Sequence, residues 1–464
     1  MMLLVPLYTY KISAASGGYG VITNLYAYTA LLFVILTYGM ETTFFRFANK
    51  EGENPRLVFS TILRMVGLTS VLFVALVAAF IGPVSSAMGY ADHPSYVWTM
   101  AVVVALDAFQ AILFSYLRYR RRPIKFAALK LLFIGLNIGL NLVFFVLLPK
   151  VVPGWQIQVG HVFYINLFCT GIITFFFWKE LKGIGYGFDP GLCRRMLSYS
   201  WPILVLGIAG ILNQTADKML FPFIYPGEDA SSQLGIYGAC AKIAMIMAMI
   251  TQAFRYAYEP FVFGNAREKD SRETYAEGMK YFVIFTLLAF LAVMAYMNIL
   301  RYIIKSDYWE GLRVVPIVMA AEIMMGVYFN LSFWYKLTDR TIWGAVFSGI
   351  GCAVLIGVNV LFVPRYGYMA CAWGGVAGYG ISMLLSYFVG QKYYPIRYPM
   401  ARLGAYLLLT AVLFAGISWA NAHLGFWPAV LVNTALLGIF VAFVLWKDLP
   451  LQSLKSTILS KIRS

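Results

Sequence analysis

The sequence predicts an all-α polytopic membrane protein, on three observations. Of its 464 residues, 61% are hydrophobic and only 12% charged, and the mean hydropathy is +0.75. Apolar runs of roughly 18 or more residues recur along the whole chain, each long enough to cross a hydrocarbon core of about 30 Å. They are continuously apolar rather than alternating, which excludes a β-barrel. The third observation is an internal repeat. Shifted by 218 positions, Arg122–Phe144 overlies Arg340–Phe362 without a gap, with Arg122/Arg340, Ile124/Ile342, Ala127/Ala345, Ile138/Ile356, Gly139/Gly357, Asn141/Asn359 and Phe144/Phe362 identical. The same shift pairs Gly17, Tyr19, Gly20 and Glu41 with Gly235, Tyr237, Gly238 and Glu259. Repeats of this size in an apolar chain indicate a transporter built from two homologous halves.

The expected spans are 19–40, 57–81, 96–117, 126–148, 159–178, 199–221, 235–256, 279–301, 312–334, 342–363, 370–390, 403–421 and 429–446. Met1–Tyr10 is apolar but too short to span. Under the repeat Met1 corresponds to Met219, so the chain is expected to start part-way through a first helix of a fourteen-helix architecture. The organisation expected is an N-terminal lobe over 1–185 and a C-terminal lobe over 186–395, six helices each. Two extra helices follow over 396–446, then a cytoplasmic tail over 447–464. Trp98, Trp178, Trp201, Trp427 and Trp446 fall at span ends, where an interfacial aromatic belt belongs.

Lys and Arg set the orientation. One set of alternate loops holds 26 of them and the other 6, with Arg64, Lys130, Lys218 and Lys242 inside spans. The basic loops stay inside, so both termini are expected in the cytoplasm. The net charge of +16 thus reflects topology rather than nucleic-acid binding. Six spans separate each residue from its twin, so the halves share one topology, related by an axis along the membrane normal. Five scattered cysteines and three histidines far apart in sequence suggest no metal or redox site. The glycines of GIGYGFDPG, within the inter-lobe segment 179–198, lack a preceding strand and the Lys-Ser/Thr of a phosphate loop, and read as a linker. All loops are short, leaving no room for a catalytic globular domain, and no enzyme activity is expected.

Charges inside a span cost roughly 2.5–3.5 kcal/mol on insertion scales and so usually face a cavity. Asn213/Asp217 and Gln214/Lys218 are both i,i+4 and lay a polar stripe on one helix side. Cavity lining is favoured over simple headgroup contact. Glu41 and Arg46 mark the cytoplasmic end of their span, either as an interfacial charge pair or with Arg46 meeting an anionic headgroup at the mouth of a cavity. Arg64 and Lys242 lie about two turns deep, where snorkelling is the alternative, and snorkelling is favoured for Lys130. Asp107, i,i+3 from Gln110, and the central Glu322 must be protonated, paired or ion-binding. Asn137, Asn141 and Asn359 read as interhelical hydrogen bonds.

Tyr19–Glu51 (YGVITNLYAYTALLFVILTYGMETTFFRFANKE), Leu212–Pro222 (LNQTADKMLFP) and Leu234–Ala244 (LGIYGACAKIA) resemble the polysaccharide biosynthesis flippases, the Wzx-like branch of the multidrug/oligosaccharidyl-lipid/polysaccharide exporter superfamily. The resemblance implies two lobes around a basic cavity in the bacterial inner membrane. It implies alternating access that moves an undecaprenyl-pyrophosphate-linked oligosaccharide outward, for O-antigen, capsule or exopolysaccharide synthesis. By it, Arg46, Arg64, Lys218, Lys242 and Arg255 are candidate headgroup contacts, and Glu41, Asp107, Asp217 and Glu322 candidate coupling or pairing groups. No cofactor is expected beyond H+ or Na+ as a coupling ion. Membrane lipid and the lipid-linked sugar are the expected partners, with no nucleic acid, and one cavity between two lobes suits a monomer. The incomplete first helix departs from the family pattern.

Three alternatives stand beside this reading. A drug or metabolite exporter of the same superfamily would favour carboxylates in its cavity, whereas four of the seven charges within spans here are basic. A lipid II flippase would differ by extra basic residues in the first helix. A membrane glycosyltransferase or polymerase would need a substantial outer loop with acidic metal ligands, and D-x-D is absent from the sequence.

Overall fold

Prolines and polar caps start the helices. Pro55, Pro94, Pro123 and Pro190 each open a helix at its first position, where the missing N–H is no loss and φ is already helical. Asn54 caps the first of these by accepting from Arg56 N, and Asp189 caps the last by accepting from Gly191 N at 2.8 Å and Leu192 N at 3.1 Å.

The computed structural model describes residues 2–182, 185, 187–264, 271–338 and 340–448. The expected tail beyond 448, part of the glycine stretch at 183, 184 and 186, and the side chain of Glu259 lie outside the described residues. Among the described residues there is no strand. Twelve helices among the described residues are long and apolar enough to cross a membrane, and the shorter apolar helix Gly160–Phe175 stands at the fifth expected span. Each of the thirteen expected spans thus coincides with helix, the first of them interrupted at Tyr38–Gly39.

The principal helices are α1 Val5–Lys11, α2 Gly18–Thr37, α3 Met40–Ala48, α4 Pro55–Ala79, α5 Pro94–Tyr119, α6 Pro123–Leu142, α7 Gly160–Phe175 and α8 Pro190–Ile224, followed by α9 Ala230–Gly264. Then come α10 Ser271–Ala295, α11 Val315–Leu331, α12 Ile342–Tyr366, α13 Tyr368–Tyr393, α14 Met400–His423 and α15 Phe426–Lys447. They divide between two compact units. One comprises Met1–Ala239 with Cys352–Gly374, the other Cys240–Gly351 with Gly375–Ser464. The long helix α8 begins at Pro190, well before the expected Tyr199, because Asp189-Pro190 is a complete start signal within the linker. Ser60 donates to the Gly187 carbonyl at 2.6 Å and thereby ties the linker to α4.

In the first unit, the span expected over 19–40 breaks. Tyr38 and Gly39 are both left-handed, with φ of 32° and 74°, and the chain restarts as α3. Gly39 is required twice over, since a Cβ there would also fall 2.9 Å from Ile203 Cγ2. The break re-aims Glu41 and Arg46. The core of this unit is Phe44, Phe59, Ile62, Leu63, Ile112 and Leu113, from α3, α4 and α5.

Lipid tails are as apolar as leucine, so close backbone approach and polar contacts hold such helices together. The repeat-related glycines supply the approach. A Cβ on Gly20 of α2 would collide with the Ser231 carbonyl at the start of α9, and one on Gly235 would lie 2.9 Å from Gly20 N. Gly17 and Gly238 line the same crossing, against Ser231 and Thr23.

In the second unit, polar side chains latch the two C-terminal helices to α10. Asn433 of α15 donates to the Ala295 carbonyl at 2.9 Å and to Asn421 Oδ1 of α14 at 2.8 Å. Asn298 donates to the same Asn421 oxygen at 2.8 Å.

Candidate functional site

The break at Gly39 positions the first group of charges. Glu41, in the first turn of α3, pairs not with Arg46 but with Arg118 of α5, at 3.2 Å, and accepts from Ser115 at 3.3 Å. Arg46 turns elsewhere, its guanidinium 4.1 Å from the centre of the Tyr199 ring on α8. Lys130 of α6 is exposed on its helix. Its ammonium lies 4.1 Å from the centre of the Phe114 ring and within the fields of both Asp107 and Glu41. Asp107 meets the Thr170 hydroxyl of α7. Gln110, one turn on, donates to the Thr170 carbonyl at 2.9 Å and to Thr174 Oγ1 at 2.8 Å. The i,i+3 pairing of Asp107 with Gln110 is thus an interhelical seam. Asn166, one turn before Thr170, extends it by donating to the Tyr26 hydroxyl of α2 at 2.6 Å.

The polar stripe of α8 forms a second group. Asp217 is buried, pairs with Lys218 at 3.0 Å and accepts from the Tyr237 hydroxyl of α9 at 2.6 Å. Lys218 Nζ also donates to the Gln214 carbonyl at 3.0 Å. The Lys218 backbone carbonyl accepts from Asn24 of α2 at 2.7 Å, and Tyr90 donates to Asn24 Oδ1 at 2.8 Å. Asp217 is consequently a junction of helices. Asn213, one turn back, is buried on the same stripe.

Arg255 stands in the second unit, near the C-terminal end of α9. Its guanidinium lies 5.2 Å from the centre of the Phe329 ring and 5.7 Å from that of Tyr256. A narrow crevice here is lined by Thr251, Arg255, Asn330 and Lys336, with aromatic walls from Phe254, Tyr258, Phe329 and Phe333. Arg255 Nε and Thr251 Oγ1 are closed off from solvent and have no hydrogen-bond partner among the described residues. Two donors held ready beside a second cation form an arrangement suited to an anion. Arg64 on α4, Lys242 on α9 and Glu322 on α11 are partly buried in their spans.

The paired asparagines of the repeat differ. Asn141 accepts from Tyr8 of α1 at 2.8 Å, an interhelical bond as expected. Asn359 is 1% exposed, and both its amide atoms lack a hydrogen-bond partner among the described residues. The repeat places Pro226, not a tyrosine, where Tyr8 stands.

A third ionic group carries no sequence signal. Lys280 of α10 pairs with Asp448, just past α15, at 2.9 Å, with both side chains nearly closed off from solvent. Arg402 approaches the same carboxylate at 3.4 Å, and the Tyr406 hydroxyl donates to it. Burial alone would push the Asp448 carboxyl up. The Tyr406 hydroxyl, the bond and charge of Lys280 and the Arg402 guanidinium more than offset it and hold the group below the usual carboxylate range. Lys280 counts toward a basic loop and Asp448 toward the tail, far apart in sequence, so only the packing of α10 on α15 reveals the pair.

Comparison with solved structures identifies the fold. The lipid II flippase MurJ in an inward closed conformation aligns over 96% of this chain and 97% of its own, at 14% identity and a TM-score of 0.73. An inward-facing multidrug resistance MATE family transporter of the MOP superfamily covers 84% and 93%, at 14% identity and a TM-score of 0.63. The MATE multidrug transporter DinF-BH covers 84% and 92%, at 18% identity and a TM-score of 0.58. No curated protein matches the chain in sequence. The sequence profile of the family described as "Polysaccharide biosynthesis protein" matches residues 2–257, more than half of the chain. With that match spanning α1 to most of α9, and an all-helical membrane fold shared with flippases and exporters, the chain belongs to the polysaccharide biosynthesis protein family.

Proposed function

We propose that this membrane transporter moves a lipid-linked oligosaccharide, carried on a polyprenyl pyrophosphate such as undecaprenyl pyrophosphate, from the cytoplasmic to the outer leaflet of a bacterial inner membrane. Arg255 carries the reading. It stands near the end of a span, flanked by aromatic faces, and its Nε and the neighbouring Thr251 hydroxyl both lack partners among the described residues. Such an arginine is suited to a phosphate oxygen. In a low-dielectric setting a guanidinium attracts such a group far more strongly than in water. Arg46, Arg64, Lys218 and Lys242 are the further proposed headgroup contacts. Glu41, Asp107, Asp217 and Glu322 are proposed for charge pairing or for coupling to H+ or Na+. With the cell interior negative, each net negative charge carried outward gains about 2.3 kcal/mol per 100 mV.

Alternating access suits a duplicated scaffold, and the surface polysaccharide served would be O-antigen, capsule or exopolysaccharide. The test is a flipping assay in proteoliposomes with polyprenyl-pyrophosphate sugars beside a cationic dye. Movement of the lipid-linked sugar supports the proposal, and movement of the dye alone would place the protein with the drug exporters.

A further inference from the structure

None of the candidate transport residues lines the groove between the start of α6 and the end of α7. It is an open recess of about 600 Å³ lined by Arg122, Lys125, Phe175, Phe176, Trp178 and Lys179. Three of these are cations and three are aromatic. Beneath them sits Glu180, its side chain 4% exposed, which accepts from Lys125 Nζ at 2.6 Å and lies 3.9 Å from the Arg122 guanidinium. A buried carboxylate orients the two cations from behind, where no ligand reaches it. Lys125 is steadied further by the Phe177 ring, 5.7 Å from its ammonium. An ammonium has three donors and a guanidinium five, so both keep donors for the groove. Lys179 is exposed at its rim. Three cations over one buried acid leave the lining with an excess of two positive charges.

Phe175, Phe176 and Trp178 stand side by side and exposed at the very end of a span. Aromatic rings are enriched at that depth, where one face meets acyl chains and the other meets headgroups. The groove belongs to the loops 118–125 and 179–195, both in the set that carries most of the Lys and Arg, hence to the cytoplasmic leaflet. Basic pockets between helices on that side suit anionic headgroups.

We infer that this groove is a binding site for an anionic phospholipid of the cytoplasmic leaflet, its phosphodiester held by Arg122, Lys125 and Lys179 and its acyl chains lying on Phe175, Phe176 and Trp178. A zwitterionic headgroup fits less well, because its ammonium meets three cations. The inference uses the sequence-derived orientation and is independent of the transported substrate.

Native mass spectrometry of the purified chain in detergent, titrated with phosphatidylglycerol, phosphatidylcholine or inorganic phosphate, tests it. Wild type is expected to prefer phosphatidylglycerol. Lys179→Gln should weaken that binding about fivefold, and Arg122→Gln with Lys179→Gln by more than tenfold, at roughly one tenfold step per 1.4 kcal/mol. Arg313→Gln, on a loop with few basic residues, should leave it unchanged. Equal affinity for the two lipids, undiminished binding by the double variant, an equal loss in Arg313→Gln, or phosphate binding as tightly as lipid would each overturn the inference.

Discussion

Asp217 and Lys218, adjacent on α8, close an ion pair of 3.0 Å although neighbours on a helix point about 100° apart. The lysine stem curls to do so. Its ammonium also bonds the Gln214 carbonyl, while the Tyr237 hydroxyl takes the same carboxylate from α9. Asp217→Asn leaves a partly buried ammonium without its counter-ion and should destabilise the protein by about 3 kcal/mol. Tyr237→Phe removes one bond to a charged acceptor and should cost about 1.5 kcal/mol. Thermal unfolding in detergent measures both. A fully stable Asp217→Asn that no longer transports would assign Asp217 to coupling instead of to helix assembly.

The glycine crossing of α2 with α9 gives a steric prediction. Gly20→Ala drives a methyl into the Ser231 carbonyl and should abolish a monodisperse fold, whereas Gly135→Ala, with nothing within 4 Å of the added carbon, should be tolerated. Size-exclusion chromatography of the two variants separates them.

The unequal asparagines predict opposite responses. Asn359→Leu removes a buried amide that has no hydrogen-bond partner among the described residues and should be neutral or stabilising. Asn141→Leu strands the Tyr8 hydroxyl and should cost about 1–3 kcal/mol. Melting temperatures of the two variants in one detergent test this.

Asp448 predicts a pH dependence. Its folded pKa lies below its unfolded value near 3.9, so the group contributes stability that is full above about pH 4 and lost as pH falls through the folded value. Asp448→Asn should therefore lower the melting temperature at pH 7, and the gap to wild type should close as the pH drops below about 4.

The helices were legible because a bilayer allows few alternatives. A continuous apolar run of this length has to be a helix, and all thirteen runs are. The repeat singles out Gly17, Gly20, Gly235 and Gly238 as paired positions, but a sequence match does not say that these glycines meet each other. The break at Tyr38–Gly39 was hidden, because an apolar sequence carries no mark of a left-handed tyrosine inside a run. The charges of the candidate site can be read from the sequence one by one, but their pairings cannot. Glu41 and Arg46, neighbours in sequence, diverge to Arg118 and Tyr199 because α3 presents them on different faces. The Lys280–Asp448 pair is hidden for the opposite reason: both lie at span ends, where charges are ordinary, and only the fold joins them.

In the proposed function, Arg255 receives the anionic headgroup. The most direct measurement is translocation of a polyprenyl-pyrophosphate-linked sugar in proteoliposomes by wild type, Arg255→Ala and Arg255→Lys, with the folding of each verified by its melting temperature. Wild type is expected to transport, Arg255→Ala to lose roughly tenfold or more at unchanged stability, and Arg255→Lys to recover partially. Undiminished transport by a folded Arg255→Ala would contradict that role.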